Sequence, residues 1–158
     1  MLKRIREMKD QDGFTLIELM VVVLIIAILI AIAIPTFLGL RSRAQNRSAQ
    51  SDVRNGLTAA KAFYTDNETF GDGAAGVPDF DETQAELVEP SLDFEAAGGK
   101  GIVGIAVASG DEVVLTTQSE SDSWYCAMDD NGASSVRGPA AAENLLNTAV
   151  LCGGLPAV

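Results

Sequence analysis

The sequence predicts an α+β fold: one long N-terminal helix, its first half membrane-spanning and its second half amphipathic, packed on a small antiparallel sheet. Three observations lead there. Between Phe14 and Leu40 the only charged side chain is Glu18, and from Leu19 to Ile34 there is no polar side chain at all. Val53, Leu57, Ala60 and Tyr64 then recur at i, i+4, i+7 and i+11, which places them on one face of a helix. From Gly101 the period changes to short runs of β-branched and aromatic residues divided by turn sequences.

The leader, residues 1–13 (MLKRIREMKDQDG), carries Lys3, Arg4, Arg6 and Lys9 directly before the apolar block. Flanking cations stay in the cytoplasm, so the chain after Leu40 is expected to face outward. About 20 apolar residues at ~1.5 Å rise span a bilayer core of ~30 Å as a helix, and the block is longer than that. Glu18 does not suit a plain anchor, because a carboxylate inside such a segment costs roughly 2.5 to 3.5 kcal/mol on insertion scales. A secretory signal peptide is the competing reading, with Ala31-Ile32-Ala33 in the place of its cleavage site. The run is too long for one, and Glu7, Asp10 and Asp12 are out of place in its basic start.

The stretch Gly13-Phe14-Thr15-Leu16-Ile17-Glu18 resembles the prepilin cleavage and methylation motif of type IV pilins and pseudopilins. The resemblance is close from Lys3 to about Phe70 and extends to the remainder by layout. It implies a pilin-like fold, removal of residues 1–13 by a membrane peptidase cutting between Gly13 and Phe14, and methylation of the new Phe14 amine. Pro35 matches the family's proline within the first helix. Eight residues earlier, where many members carry a helix-breaking glycine, this chain has Ala27, which favours helix. Cleavage would create an amine four residues from Glu18, and both charges are costly to leave unpaired in hydrocarbon. In a bundle of parallel helices, Glu18 of one subunit is expected to pair with Phe14 of the next and set the register.

The long helix is expected over 14–65, with 14–40 as the transmembrane and assembly segment and Asp66-Asn67 as its stop. Pro35 should kink it by removing a backbone donor, and Gly56 reads as a second weak point. Residues 66–158 form the predicted head. Its first part, 66–100, reads as loop except for a short helix up to Glu89, opened by a capping box Thr83-Gln84-Ala85-Glu86 and ended by Pro90. Antiparallel strands are expected over about 101–137: GIVGIAVA, EVVLTTQ and SWYCAM, then a hairpin turn at Asp130-Asn131-Gly132 and a fourth strand near Ser134 to Arg137. The amphipathic half of the stem helix is the expected cover for this sheet. Cys126 and Cys152, with no other cysteine in the chain, are predicted to staple the 126–152 region in an oxidising exterior.

After the first 40 of 158 residues, the remainder suffices for one small domain. Arg41 to Lys61 holds five cations against Asp52, whereas from Asp66 onward Lys100 and Arg137 face seventeen carboxylates. An acidic head disfavours nucleic-acid binding and keeps an exported protein soluble. The chain has no His, which excludes imidazole-based triads, shuttles and metal sites. Gly99-Lys100-Gly101-Ile102-Val103-Gly104 fits G-x-G-x-x-G but opens a strand rather than a helix, so it reads as a flexible lead-in. Asp79, Asp81, Glu82 and Glu86, or Asp129 and Asp130, offer oxygen ligands for calcium but lack the spacing of a ligand loop and read as turn chemistry. No cofactor, metal or catalytic residue is assigned.

The function expected is a structural subunit, major or minor, of a type IV pilus serving adhesion, motility or DNA uptake. It would be held in the cytoplasmic membrane before assembly and be extracellular afterwards. Its partners would be like subunits in a helical filament, the prepilin peptidase and the assembly machinery. A pseudopilin of a type II secretion or competence system is the near alternative, and a membrane-anchored extracytoplasmic binding protein the distant one.

Overall fold

The computed structural model describes residues 13–71, 78–140 and Cys152. The predicted leader up to Asp12 and the tail around Cys152 lie outside the described residues. Helix α1 runs Leu16–Asn67 and helix α2 Glu82–Val88. Five strands follow: β1 Asp93–Glu95, β2 Ile102–Ser109, β3 Glu112–Gln118, β4 Trp124–Asp130 and β5 Ala133–Ala140. They form one sheet in the order β1-β2-β3-β4-β5, antiparallel except for the β1–β2 pair. The fold is α+β, as the sequence predicts. It divides into two units, Met1–Leu40 and Arg41–Val158.

In the second unit the amphipathic part of α1 covers one face of the sheet. Val53, Leu57, Ala60 and Phe63 share a buried core with Val103, Val113, Leu115, Tyr125 and Ala127. Alternation along the strands puts Val113 and Leu115 on that face and Val114 on the other. There Val114, Trp124, Cys126 and Cys152 form a second cluster. Thr116 stands opposite Cys126 in the β3–β4 register, so the disulfide springs from the middle of the sheet. Its Cα atoms are 6.1 Å apart.

Two of the three hairpin turns, β2–β3 and β4–β5, are tied back to the helix end. Loop Asn131-Gly132 joins β4 to β5 with φ of 50° and 82°, the positive pair that a two-residue hairpin turn requires. The Tyr64 hydroxyl donates to Asp111 Oδ1 in the β2–β3 turn at 2.8 Å, and Phe70 N–H donates to the Gly110 carbonyl at 2.7 Å. Asp129, 3% exposed, accepts from Gly132 N–H and the Ser134 hydroxyl and pairs with Lys61 Nζ at 3.3 Å. A buried carboxylate needs such partners, and here they bind α1 to the β4–β5 hairpin. Pro139, which has no N–H to donate, stands in β5 at the sheet edge, where a strand tolerates it.

Three expectations are corrected. Residues 66–100 are not loop around a single helix, because β1 pairs in parallel with β2 through Phe94↔Val103. Only Phe94 of β1 is buried, its two acidic neighbours being exposed, so three residues leave no periodic signal. The chain returns from β1 to β2 within a few residues because of its glycines. A Cβ at Gly98 would stand 2.7 Å from Thr116 Oγ1, Gly104 lies against the Gly98 backbone, and Gly101 has φ +74°. The helix N-cap is Asp81 rather than Thr83: its side chain accepts from Gln84 N–H at 2.9 Å. The D-x-x-Q spacing carries the same capping signal two residues earlier. Gly56 is not a weak point but a close approach, since a Cβ there would lie 3.2 Å from Val103 Cγ1 and 3.3 Å from Leu115 Cδ1.

Candidate functional site

The candidate site begins where the polar chain meets the apolar helix. Gly13 precedes α1 in irregular backbone, and a Cβ built on it finds no atom within 4 Å. Packing therefore makes no demand for glycine here. Phe14 is exposed, and Thr15 caps α1 immediately before Leu16. The Thr15 N–H and hydroxyl both donate to Glu18 Oε2, at 3.0 and 2.7 Å, while Glu18 N–H meets Thr15 Oγ1 at 3.3 Å. This is a reciprocal capping box. It satisfies donors that would otherwise stand bare at the helix start, and it gives the carboxylate two donors. Thr15 was the residue that sequence reasoning passed over. The signal was available in T-x-x-E ahead of an apolar run, but Glu18 was weighed only against the new amine.

From Phe14 to Leu40 every residue is exposed. The α-helix satisfies its own backbone groups, as hydrocarbon requires, and by length and composition the segment suits a membrane crossing. Helix α1 passes through Pro35 without interruption. Pro35 leaves the Ala31 carbonyl without its usual donor, and next to it the Thr36 hydroxyl donates to the Ile32 carbonyl at 3.2 Å. Ala27 lies in unbroken helix.

A family profile described as "Prokaryotic N-terminal methylation motif" matches residues 8–34. The type IV major pilin protein PilA of Myxococcus xanthus is 45% identical over 62 residues, covering 39% of this chain and 28% of that protein. The type IV wide pilus major component PilA4 of Thermus thermophilus is 29% identical over 126 residues, 79% of this chain and 87% of that protein. These matches support a type IV pilin or pseudopilin family for this chain. The type II secretion system core protein G of Klebsiella michiganensis is 31% identical over 88 residues, 56% of this chain and 58% of that protein. The first and third of these matches thus span well under two thirds of the relative's length. No solved structure matches at the same stringency.

In the head, Cys126 and Cys152 are joined as a disulfide. Asp79, Asp81 and Glu82 line a hollow of about 350 Å³ beside Ile105 and Val107, with Asp81 occupied as a helix cap. Among the described residues no group of three or more side chains is placed to hold a metal ion. Lys100, in the glycine-rich lead-in, pairs with Asp122 at 2.7 Å, and that hydrogen bond raises its pKa above the ordinary lysine value.

Proposed function

We propose that this chain is a structural subunit of a type IV pilus, polymerising through Phe14–Leu40. The observation that carries the reading is the contrast in cover: the apolar side chains of Phe14–Leu40 are exposed without exception, while among the described residues the large apolar side chains of the head, Leu87 and Val88 apart, are packed into its own core or half-buried against it. A surface of that size and character requires a membrane or a bundle of like helices. In this reading the leader holds the N-terminus in the cytoplasm, a membrane peptidase cuts between Gly13 and Phe14, and the Phe14 amine is methylated. The absence of any packing demand for glycine at residue 13 supports a processing role for it.

Thr15 keeps its N–H after that cut, so the capping box survives maturation. The box then serves the lone subunit in the membrane, giving Glu18 local partners until it meets the Phe14 amine of a neighbour. A mismatched register leaves both charges without that gain, which makes Glu18 a register residue. Pro35 is proposed to loosen the helix locally. The head acts as the exterior of the filament and carries no catalysis. Adhesion, motility or DNA uptake belongs to the assembled fibre.

The match to a type II secretion core protein favours one second reading, a pseudopilin of such an apparatus. Two measurements test the pair. Mass spectrometry of the mature protein should find Phe14 at its N-terminus, and any other start defeats both readings. Shearing of cells should release long fibres of this subunit at native expression; short or absent fibres select the pseudopilin. Replacing Gly13 by Phe should leave the leader attached and abolish fibres.

A further inference from the structure

We propose that the exposed patch Leu87-Val88 on α2, ringed by carboxylates, seats the Arg43–Arg47 face of α1 from a second copy of this chain. The proposal rests on the filament reading above and adds to it a contact between heads. Beyond Leu40, the exposed large hydrophobic residues among those described are Leu87, 73% exposed, and Val88, 42% exposed. Helix α2 buries Ala85 against the head and leaves Leu87 outside. Beside it a shallow hollow of about 390 Å³ is lined by Thr83, Glu86, Leu87, Pro90, Leu92 and Asp93. The hollow thus offers an apolar floor with an acidic rim.

Among the described residues no salt bridge neutralises the rim. Salt bridges among the described residues join Lys61 to Asp129 and Lys100 to Asp122, and neither involves Glu86 or Asp93 of the rim or Glu82, one turn before Glu86 on α2. Arg43 and Arg47 are likewise exposed and unpaired among the described residues. Glu82 and Glu86 stand four residues apart on α2, and Arg43 and Arg47 four apart on α1, so each pair projects from one face of its helix at the same spacing of about 6 Å. Arg41, two residues before Arg43, falls on the far side of α1 and takes no part. Ala44, exposed between the two arginines, leaves room for Leu87, and the arginine stems supply apolar surface against it.

Patch and counterpart are different surfaces of one chain. Such a contact is heterologous and propagates copy to copy, which builds an open helical assembly unless it closes into a ring. Charge matching of this kind chiefly sets register and excludes wrong partners.

The test starts from parental cells; if these yield no sheared fibres, the filament reading falls and the contact is moot. With fibres in hand, Leu87→Cys and Arg47→Cys subunits are coexpressed as minor components of parental filaments and treated with a short bismaleimide. A cross-linked heterodimer is expected, with no dimer from either variant alone. Incorporation of both without a heterodimer, or Leu87→Cys subunits linking to each other, overturns the proposal. Separately, Arg43→Glu with Arg47→Glu should cut fibre yield at least tenfold, and adding Glu82→Lys with Glu86→Lys should restore it. Parental yield from the arginine reversals overturns the contact. A loss that the double swap does not recover assigns the arginines to lipid headgroups and overturns it equally.

Discussion

Phe14–Leu40 and the head that follows Arg41 are both rich in apolar side chains, yet they dispose of them in opposite ways. The head folds its apolar residues inward: Val53, Val103, Val113 and Leu115 have no exposure at all. The N-terminal segment leaves its large apolar side chains outside, from Phe14 at 88% to Val22 and Ile26 at 48%. The same helix takes part in both, since α1 runs through the boundary. What differs is the pattern. A stripe at helical spacing finds one sheet to cover, whereas a helix apolar on every side needs an apolar surrounding that its own chain does not supply. Helix type therefore says little about function, and the distribution of apolar residues around the helix says much.

The first way to break this comparison acts on the uncovered region. Glu18→Val removes the segment's only charge, so it should insert and be cleaved as before. Assembly should fail, because removing one member of a buried ion pair typically costs about 3 to 5 kcal/mol. Helix α1 also loses the Thr15 capping partner, a smaller effect of about 1 kcal/mol. The check is the partition of mature subunit between membrane and sheared fibre. Parental fibre levels from Glu18→Val would mean that packing alone sets the register.

The second acts on the covered region. Replacing Cys126 and Cys152 by Ser frees a loop of 26 residues, and the chain-entropy account assigns that closure about 3 to 4 kcal/mol. Thermal unfolding of the head with and without reductant should differ accordingly. The N-terminal segment has no part in the bond, so membrane insertion and cleavage should be unchanged.

How far these regions could be read from sequence depended on how much chain each signal occupied. The apolar block, the stripe on α1 and the strands β2 to β4 each run for seven residues or more, and periodicity resolves them. Strand β1 has a single inward residue, Phe94, and no pattern can announce it. The N-cap of α2 was missed by two positions because Asp81 and Thr83 begin overlapping capping signals. Gly56 was misjudged because helix propensity is local, whereas its cause is the approach of Val103 and Leu115 from strands some fifty residues on. At the candidate site, Gly13, Phe14 and Glu18 stood out by motif. Thr15 did not, since its T-x-x-E capping signal lies inside the same motif and shares Glu18 with it.

Gly56→Ala sharpens the comparison inside the covered region. In the exposed helix this change gains up to ~1 kcal/mol. At Gly56 the methyl would press on Val103 and Leu115, both fully buried, and overpacking costs typically 1 to 3 kcal/mol. A net loss of about 1 kcal/mol in the head is expected by denaturant unfolding. The same exchange at Gly39, where a Cβ meets nothing within 4 Å, should not destabilise it.

The smallest expected effect lies at the end of α1, where Tyr64 is fastened to the β2–β3 turn. Its pKa is raised above the ordinary 10.0, first by the hydrogen bond it donates to Asp111, then by desolvation and by the negative charges of Asp111, Asp129 and Glu68. Each of these disfavours the phenolate, so the fold holds the neutral phenol. A folded pKa above the unfolded value means that the contribution is complete below pH 10 and is lost as pH rises through the folded pKa. Stability at neutral pH is therefore insensitive to this titration, and the head should weaken on the alkaline side only. Because the hydroxyl lies at the surface, the loss should be slight. With two tyrosines in the chain, the difference in ultraviolet titration between the parental protein and Tyr64→Phe isolates this one. It should titrate above 10, and Asp111→Asn, which keeps an acceptor but removes the charge, should bring it part of the way back. A Tyr64 that ionises at its ordinary value would show that the bond to Asp111 does not hold in solution, and that the helix end is kept on the sheet by Phe63, Phe70 and the Lys61–Asp129 pair instead.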